Sequence, residues 1–445
     1  MPDLKGKHIV VAGAGLSGVA AANFCHSRGA HVSVSDTRSA SEIAGLAQLD
    51  PCIEQDCAGH TDSIFQHADL IILSPGIPLH APVISRAMEA GIPVWGEIEL
   101  ASRFLRIPII AITGTNGKST VTSLCGHILQ RCGEQVFIGG NIGTPLIEAV
   151  DGDYSVAVVE LSSFQLESVV TFNPHVAVLL NISPDHLDRY ADMHSYMQAK
   201  QRIFANQTTT DLMVLNRDDA QVLALARDAS ARRTCFSSAC ILKEGLSLDL
   251  PSMLWRHSDV EYCFDCNALQ LQGLHNLENV MAALAACSGQ GHAPVRMWEA
   301  ACEFSGLPHR MEWVRTLNGV RWYNDSKGTN IGSVEKSLRG FDTPVTLIAG
   351  GKDKGGDYAL LRPVLSEKRP RLILLGAAAE KMAAAWEDIC HINMVNSMEE
   401  AVACAYQNTC APGSVLLSPG CSSFDMFSSF AERGEVFAAL VRALE

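Results

Sequence analysis

The stretch that most constrains the fold is "IPIIAITGTNGKST", in which an apolar strand pattern runs into a glycine loop and then a helix pattern. The backbone amides of residues 114–118 can surround a phosphate group, Lys118 can reach terminal phosphates, and the Ser119 hydroxyl can bind Mg²⁺. Position 112 is Ile where the strict phosphate-loop pattern has Gly. The sequence therefore predicts a shorter variant of an ATP-type loop. The predicted loop residues are Gly114, Thr115, Asn116, Gly117, Lys118, Ser119 and Thr120.

A second glycine loop lies near the N-terminus, in "VVAGAGLSGVA". Gly13, Gly15 and Gly18 fit the G-x-G-x-x-G pattern between a strand and a helix, and Asp36 ends the next predicted strand. Such glycines let the backbone approach a pyrophosphate at a helix N-terminus, and the acid can bind a ribose hydroxyl. The pattern alone is weak, because a tight strand–helix turn produces it too, and it does not distinguish NAD from a UDP-sugar.

Strand patterns alternate with helix patterns along the whole chain, which is typical of α/β proteins with parallel sheets. At 445 residues, about three domains are expected, at roughly 150 residues each. We predict a Rossmann-like domain over 1–100, a central P-loop ATPase-type domain with a parallel sheet over 101–307, and a C-terminal Rossmann-like domain over 308–445. Within the central domain, the weakly periodic stretch 234–272 predicts a small β extension.

The composition argues against several classes of protein. The net charge of −14 argues against nucleic acid as a partner, so phosphate affinity must come from local sites. No stretch approaches the ~20 apolar residues of a membrane span, and no signal peptide is recognisable. Fifteen cysteines without a regular framework favour reduced thiols and a cytoplasmic location. Loose spacing favours buried thiols over a zinc site for four of them. These four are Cys235, Cys240, Cys263 and Cys266.

Phosphoryl transfer also needs ligands for a metal ion, and candidates follow two apolar strands of the central domain. Glu160 ends "VAVVE", and "NISPDHLDRY" places Asp185 and His186 after the next strand. Mg²⁺ prefers oxygen ligands, so a histidine ligand would also admit Mn²⁺. A loop histidine without a ligand is the alternative for His186. From the residues alone, Lys200 in "SYMQAKQRIF" is interpreted as a solvated helix lysine.

Seven segments occur in order along essentially the whole chain. They are "GTNGKST", "VELSSFQLE", "ISPDHLDRY", "GLHNLENVMAA", "LPHRMEWV", "NDSKGTN" and "LLSPGCSSFDMFSSFAERG". Together they resemble the Mur ligases of bacterial cell-wall synthesis. The N-terminal "VAGAGLSG", "DTR" and "SPGIP" are similar to those of the family member that adds D-glutamate. Seven ordered motifs are far more specific than either glycine loop.

The resemblance implies an ATP-dependent amide ligase of peptidoglycan precursor synthesis. It would join D-glutamate to UDP-N-acetylmuramoyl-L-alanine through an acyl phosphate and a tetrahedral intermediate, with release of ADP and phosphate. The first loop would bind the UDP end, the second loop ATP, and the third domain the amino acid. We expect a monomer whose domains close around the ligands, with a hinge near 305–310.

The resemblance also implies roles for residues. Lys118 would contact the β/γ-phosphates, Ser119 and Glu160 would hold one Mg²⁺, and His186 would help to hold a second. Lys200 would be carbamylated and would act as an anionic metal ligand, contrary to its interpretation as a solvated lysine. Further implied ATP contacts are Asn276, Arg310, Asp325 and Lys327. The implied contacts of the UDP-substrate are Gly15, Leu16, Ser17, Asp36, Thr37, Arg38, Ser74, Gly76 and Asn141. The implied D-glutamate contacts are Thr329, Lys354, Ser423 and Phe430, with Lys352 as the alternative to Lys354.

Other classes stay open on the residues alone. A nicotinamide oxidoreductase would explain the first loop and leave "GTNGKST" unexplained. A non-catalytic ATP-binding switch would bind ATP without substrate-dependent phosphate release. Among ligases, a sister enzyme that adds another amino acid is an alternative. A folate polyglutamate ligase is another, but it does not explain a separate N-terminal nucleotide domain.

Overall fold

The computed structural model describes residues 2–186, 189–257, 259–271, 273–353 and 355–445, without the side chain of Ala44. The chain forms two compact units. Unit 1 comprises Met1–Ile182, His194–Ala268 and Glu278–Glu303, and unit 2 comprises Ser183–Met193, Leu269–Leu277 and Phe304–Glu445. Unit 1 contains two sheets, and unit 2 contains a third.

The first sheet of unit 1 has five parallel strands. They are β1 (His8–Ala12), β2 (His31–Ser35), β3 (Glu54–Asp56), β4 (Leu70–Leu73) and β5 (Val94–Gly96). Its helices are α1 (Leu16–Ser27), α2 (Asp62–Gln66), α3 (Pro82–Glu89) and α4 (Glu97–Phe104). The strand order β3-β2-β1-β4-β5 changes direction between β1 and β4. Ligands of open α/β sheets bind at the carboxyl ends of the strands at such a point, and the first glycine loop follows β1 there.

The second sheet of unit 1 has nine strands in the order β14-β13-β12-β11-β10-β9-β6-β8-β7. They are β6 (Ile109–Thr113), β7 (Val136–Gly140), β8 (Val156–Glu160), β9 (Val176–Leu179), β10 (Leu212–Asn216), β11 (Arg232–Ser237), β12 (Gly245–Asp249), β13 (Ser252–His257) and β14 (Val260–Asp265). Strands β6 to β12 form parallel pairs. Strands β13 and β14 extend the sheet with antiparallel pairs. This confirms the predicted β extension in 234–272.

The helices of this part of the chain follow the strands in sequence. They are α5 (Lys118–Arg131), α6 (Ser163–Glu167), α7 (Met193–Gln201), α8 (Ala220–Leu225), α9 (Leu274–Cys287) and α10 (Pro294–Cys302). Strand β6 lies between β8 and β9 and is buried along its whole length. Its continuous apolar run is what a parallel strand covered on both faces requires. The second glycine loop therefore starts near the centre of the sheet.

The sheet of unit 2 has six strands in the order β15-β16-β20-β17-β18-β19. They are β15 (Glu312–Leu317), β16 (Val320–Asn324), β17 (Val345–Gly350), β18 (Arg371–Leu375), β19 (Ile392–Met394) and β20 (Gly413–Gly420). Its helices are α11 (Ile331–Arg339), α12 (Arg362–Lys368), α13 (Ala379–Trp386), α14 (Met398–Asn408) and α15 (Phe430–Ala443). Leu347 and Ile348 of β17 belong to separate apolar clusters, because successive side chains point to opposite faces.

Short 3₁₀ helices complete the secondary structure. They are Ala40–Glu42, Ala44–Gln48, Leu146–Ala149, Arg202–Phe204, Cys266–Ala268, Ser288–Gln290 and Tyr358–Leu361. The expected α/β class with a parallel-rich central sheet is confirmed. Among the described residues, no helix has both the length and the apolar character needed to cross a membrane. The domain bounds at 100 and 307 stay predictions.

Candidate active site

The first glycine loop connects β1 to α1 and is fixed by contacts inside unit 1. Gly13 has φ +95°, a conformation that other residues rarely adopt. A Cβ atom on Gly18 would lie 1.9 Å from the Gly13 carbonyl oxygen, so only glycine lets α1 approach the loop this closely. The Ser74 hydroxyl, after β4, donates a 3.0 Å hydrogen bond to the same carbonyl oxygen.

The Asp36 carboxylate, which follows β2, also stabilises this loop. It is buried and accepts 2.8 Å hydrogen bonds from the Ala14 N–H and from Arg38 Nη2. Arg38 Nε donates a further bond of 3.0 Å. The Arg38 guanidinium therefore holds the pKa of Asp36 well below its usual range, against the opposing effect of burial. In this structure the acid orders the loop and orients Arg38. Five predicted UDP-substrate positions nearby are exposed or half-buried. They are Gly15, Leu16, Ser17, Thr37 and Gly76.

The second glycine loop connects β6 to α5. Gly117 has φ +88°, and a Cβ atom there would lie 2.5 Å from Asn279 Oδ1. The Asn181 carbonyl oxygen accepts a 2.9 Å bond from the Thr115 N–H, and Asn181 Oδ1 accepts a 2.8 Å bond from the Asn116 N–H. Both asparagines thus shape the loop. Sequence reasoning gave neither a role, because single amide side chains follow no recognisable pattern.

Two lysines converge on one carbonyl oxygen of this loop. Lys118 Nζ donates to the carbonyl oxygens of Gly114 at 2.9 Å and Thr115 at 2.8 Å. Lys200 Nζ, from α7, donates to the same Gly114 oxygen at 2.8 Å and lies 4.7 Å from the centre of the Tyr196 ring. Lys200 is 1% exposed, so its interpretation as a solvated lysine is wrong. Two lysine side chains from distant parts of the chain thus contact the same backbone oxygen.

Glu160 lies at the end of β8, directly beside β6, where it pairs with Ile112. Its side chain is buried, and Oε1 accepts a 2.7 Å bond from Asn141 Nδ2. Oε2 is buried and makes no hydrogen bond within the described part of the chain. A buried carboxylate oxygen without a partner is costly, and a bound cation would compensate for it. Ser119, in the first turn of α5, is also buried.

Asp325 is the corresponding buried carboxylate of unit 2, directly after β16. Its Oδ2 accepts 2.8 Å bonds from the hydroxyls of Ser337 and Ser418. Burial raises the pKa of Asp325 to about 6, opposed by these hydroxyls and by the charge of Arg310. The predicted ATP contact Asp325 therefore already accepts hydrogen bonds from side chains of unit 2.

A cavity of about 420 Å³ in unit 2 brings together three predicted site residues, Asp185, His186 and Thr329. His186 has φ +56°, and its Nε2 lies 3.8 Å from Asp185 Oδ2. Asn330, beside Thr329, donates a 3.3 Å bond to Asp185 Oδ2, and its side chain caps the N-terminus of α11. The loop that carries His186 is therefore joined to the segment that carries Thr329.

Other predicted residues of unit 2 follow β16 or β20, begin α15 or lie in α9. Lys327 Nζ lies 4.7 Å from the centre of the Phe430 ring, which joins a predicted ATP contact to a predicted D-glutamate contact. Ser423 is buried, and Asn276 is 9% exposed. Lys354 lies outside the described residues. Its alternative, Lys352, forms an isolated antiparallel bridge with Ser422.

The four cysteines considered for zinc are half-buried or exposed, so the expectation that they are buried thiols is wrong. In the described part of the chain, one group of three potential ligands has its atoms within 4.8 Å of one another. That group is His26, Asp50 and Cys52, and it includes none of the four. The predicted ligands of Mg²⁺ belong to both units: Ser119, Glu160 and Lys200 to unit 1, and His186 to unit 2.

Two glycine loops follow parallel strands at their carboxyl ends, and a lysine pair and a buried acid lie beside the second loop. These features define an α/β protein of the phosphate-binding class. Three family models match the chain in succession. They are the Mur ligase MurD-like N-terminal domain over residues 7–96, the Mur ligase middle domain over 112–287, and the Mur ligase glutamate ligase domain over 309–421. The chain belongs to the Mur ligase family.

Known relatives resemble this chain along its whole length. The UDP-N-acetylmuramoylalanine--D-glutamate ligase of Syntrophotalea carbinolica is 53% identical over 447 residues, which cover 100% of this chain and 99% of the relative. The protein of the same name from Geotalea uraniireducens is 47% identical with the same coverage. In fold, the chain resembles the UDP-N-acetylmuramate-alanine ligase MurC from Thermotoga maritima, at a TM-score of 0.60 and 18% identity over 98% of this chain and 99% of that one. It also resembles MurF from Acinetobacter baumannii, at a TM-score of 0.62 and 16% identity over 94% of this chain and 86% of that one.

Proposed function

We propose that the chain is an ATP-dependent ligase that joins D-glutamate to UDP-N-acetylmuramoyl-L-alanine in peptidoglycan precursor synthesis. The observation that carries this proposal is the 53% identity over the full chain with a ligase named for that reaction. The geometry supports it, because Lys118 and Lys200, the latter from α7, both contact the second glycine loop, which lies beside a buried acid. A transferable phosphate needs such an arrangement of fixed charges.

The chemistry explains why ATP is needed. A carboxylate is a poor electrophile, because its charge is delocalised and repels an electron-rich amine. Transfer of the γ-phosphoryl group of ATP to the carboxylate of the alanyl residue gives an acyl phosphate, with ADP as the product. The amine of D-glutamate then attacks the acyl carbon to form a tetrahedral intermediate, which collapses to the amide, phosphate and a proton. Negative charge accumulates in both steps, so cationic groups fixed in advance stabilise them.

In this proposal the second loop binds the triphosphate of ATP. Its amides surround the phosphates, and Lys118 leaves the carbonyl oxygens of Gly114 and Thr115 to contact the β- and γ-phosphates. Members of the family use ATP and Mg²⁺. The buried Oε2 of Glu160, which lacks a hydrogen bond among the described residues, fits a cation, and Glu160 with Ser119 would hold one Mg²⁺. His186 would help to hold a second ion, for which Mn²⁺ is a substitute. Bound Mg²⁺ supplies charge neutralisation for the phosphates.

We also propose that Lys200 is carbamylated in the active protein. Its Nζ would form a bond to the carbon of CO₂, with loss of a proton, and the product is an anion. Burial of Lys200 and the carbonyl oxygen that it shares with Lys118 support this proposal. An anion at this position would lie beside the positive charge of Lys118 and would serve as a ligand for a bound cation.

The remaining ligand contacts are proposed by position. The UDP end would bind at the carboxyl edge of the first sheet, near Arg38 and Ser74. ATP would also contact Asn276, Arg310, Asp325 and Lys327. D-glutamate would contact Thr329, Ser423 and the backbone near Phe430. The domain division at 100 and 307 and a cytoplasmic monomer belong to the same proposal.

The test is phosphate release from ATP by the full chain, with each UDP-muramyl precursor paired with each candidate amino acid. We expect release only with UDP-N-acetylmuramoyl-L-alanine and D-glutamate together, with one amide formed for each phosphate. Preference for another amino acid would assign the chain to a sister ligase. Tight ATP binding without substrate-dependent release would contradict the ligase proposal.

A further inference from the structure

The first turn of α15 contains a buried cation with an uncommon set of partners. Arg433 is 3% exposed, and arginine is rarely buried this deeply. Within the described chain its guanidinium forms three hydrogen bonds and no ion pair, although the charges of Asp425 and Asp325 lie near enough to oppose the pKa-lowering effect of burial. Nε donates to the Ser326 hydroxyl at 3.0 Å, Nη2 to the Ser326 carbonyl oxygen at 2.7 Å, and Nη1 to the Cys421 carbonyl oxygen at 3.2 Å.

These partners belong to two different loops of unit 2. Ser326 lies between Asp325 and Lys327 on the loop after β16, and Cys421 lies two residues before Ser423 on the loop after β20. The planar guanidinium fork thus spans both loops with a fixed geometry. The loop after β16 carries the proposed ATP contacts Asp325 and Lys327 and the proposed D-glutamate contact Thr329. The loop after β20 carries the proposed D-glutamate contact Ser423.

The Ser326 hydroxyl extends this connection to the start of α15. It accepts the bond from Arg433 Nε and donates a 2.8 Å bond to the Phe430 carbonyl oxygen. Phe430 in turn lies under Lys327 Nζ. One buried side chain therefore links the loop after β16, the loop after β20 and the N-terminus of α15.

We propose that Arg433 is a positioning residue that fixes the relative position of the two ligand-contacting loops of unit 2, those after β16 and β20. It touches neither ligand and acts through Ser326 and Cys421. Burying a guanidinium among carbonyl groups costs solvation energy. An apolar side chain of similar volume would pack equally well without that cost. The inference rests on the proposed function, since the ligands are those of the ligase reaction.

The main test is Arg433→Met, which retains most of the volume and removes the fork. We expect KM for D-glutamate and KM for ATP each to rise about tenfold or more, because small displacements of positioning groups have effects of this size or larger. KM for UDP-N-acetylmuramoyl-L-alanine should stay within about twofold, since its proposed contacts lie in unit 1. Arg433→Lys should restore neither KM, because an ammonium group lacks the planar fork.

Arg315 of β15 offers a control, because its guanidinium binds carbonyl oxygens at the other end of α15. Arg315 Nη1 donates to the carbonyl oxygens of Val441, Arg442 and Leu444 at 3.3, 2.9 and 3.1 Å. Arg315→Met should lower the melting temperature and leave all three KM values within about twofold. A purely structural role for Arg433 would give this same pattern, so the split between KM values decides the question.

Two further measurements keep the inference falsifiable. If Arg433→Met does not fold, Ser326→Ala removes the shared hydroxyl with a smaller change, and unchanged KM values there would overturn the inference. If the wild-type chain shows no ligase activity, the proposed function fails. The affinity of the variants for ATP, measured by calorimetry, then tests the inference. A lower affinity in Arg433→Met than in Arg315→Met supports the inference, and equal affinities overturn it.

Discussion

The two glycine loops of unit 1 differ most in the carboxylate beside each. At the first loop, Asp36 accepts hydrogen bonds from Ala14 and Arg38 through both oxygens. At the second loop, one carboxylate oxygen of Glu160 accepts a hydrogen bond from Asn141, while the other makes no hydrogen bond among the described residues. The first loop has a satisfied acid and the second has an unsatisfied one.

The difference indicates that Asp36 has a structural role and that Glu160 has a role in ligand binding. A satisfied acid lowers the free energy of the folded loop, and its pKa falls accordingly. An unsatisfied acid destabilises the fold until a ligand binds. The first loop is therefore interpreted as an ordered binding surface, and the second as a charged site that needs a cation and a polyphosphate. Five predictions test this comparison, from the largest expected effect to the smallest.

Lys118→Ala should have the largest effect. It removes a cation from the loop where negative charge accumulates, and groups of this kind contribute ~10²–10³-fold to kcat. The measurement is phosphate release at saturating substrates. A loss of less than tenfold would contradict the proposed role of this lysine.

Glu160→Gln should lower kcat by about 10²-fold, since the amide keeps an acceptor for Asn141 and loses the charge for Mg²⁺. The free energy of unfolding without metal should stay equal or rise, because a buried charge has been removed. Urea denaturation with and without Mg²⁺ checks this. Stabilisation of the variant by Mg²⁺ to the wild-type extent would remove the metal assignment.

Lys200→Ala should lose about 10–10²-fold in kcat while remaining folded, because the proposed carbamate ligand of the metal ion is removed. Short carboxylic acids should partly restore the rate, because they can replace the carbamate. A ¹³C NMR signal from protein equilibrated with ¹³CO₂, present in wild type and absent in the variant, is the direct readout. Full activity in the variant would eliminate the carbamate.

Glu97→Gln tests whether any buried acid with an unsatisfied oxygen behaves like Glu160. Burial raises the pKa of Glu97 to about 7, and only a hydrogen bond from the Ile147 N–H and a weaker one from Leu146 oppose it. The folded form therefore binds a proton more tightly than the unfolded form, and stability falls as pH rises from about 4.5 to about 7. At about 1.4 kcal/mol for each pH unit, Gln should stabilise the chain by up to about 3 kcal/mol at pH 8 and by little at pH 4.

Unfolding free energies at the two pH values check this prediction, and ligase activity should not fall. Glu99, on the same helix, is the contrasting case. Although burial raises its pKa, hydrogen bonds from Thr171, Val170 and Arg103 lower it overall. Glu99→Gln should therefore destabilise the chain at neutral pH. Identical behaviour of the two variants would refute the electrostatic explanation.

Asp36→Asn should have the smallest effect, about 1–2 kcal/mol of stability at pH 7, because it weakens charge-assisted bonds to Ala14 and to the half-exposed Arg38. The lowered pKa means that wild type has this advantage above the unfolded value near 3.8 and loses it as pH falls. The two unfolding curves should therefore converge at acid pH. KM for the UDP-substrate should rise, and kcat should change little.

The sequence predicted the second loop well because its signal is local. A strand, a glycine loop and a helix follow one another between residues 109 and 131, and the structure gives β6 and α5 there. The sequence missed β3, because "EQD" lacks an apolar run. It also missed the hairpin of β15 and β16, whose half-exposed residues do not form a continuous apolar run.

The sequence by itself determined the α/β class, both glycine loops and the order of the motifs, because each depends on neighbours within a few turns of chain. Only the tertiary structure decided the environment of single side chains. Lys200 is buried because α7 brings it against the Gly114 carbonyl oxygen, 86 residues away in the chain. Arg433 likewise joins Ser326 across 107 residues. Burial, charge pairing and unsatisfied oxygens depend on which distant segments meet, and no local pattern specifies that.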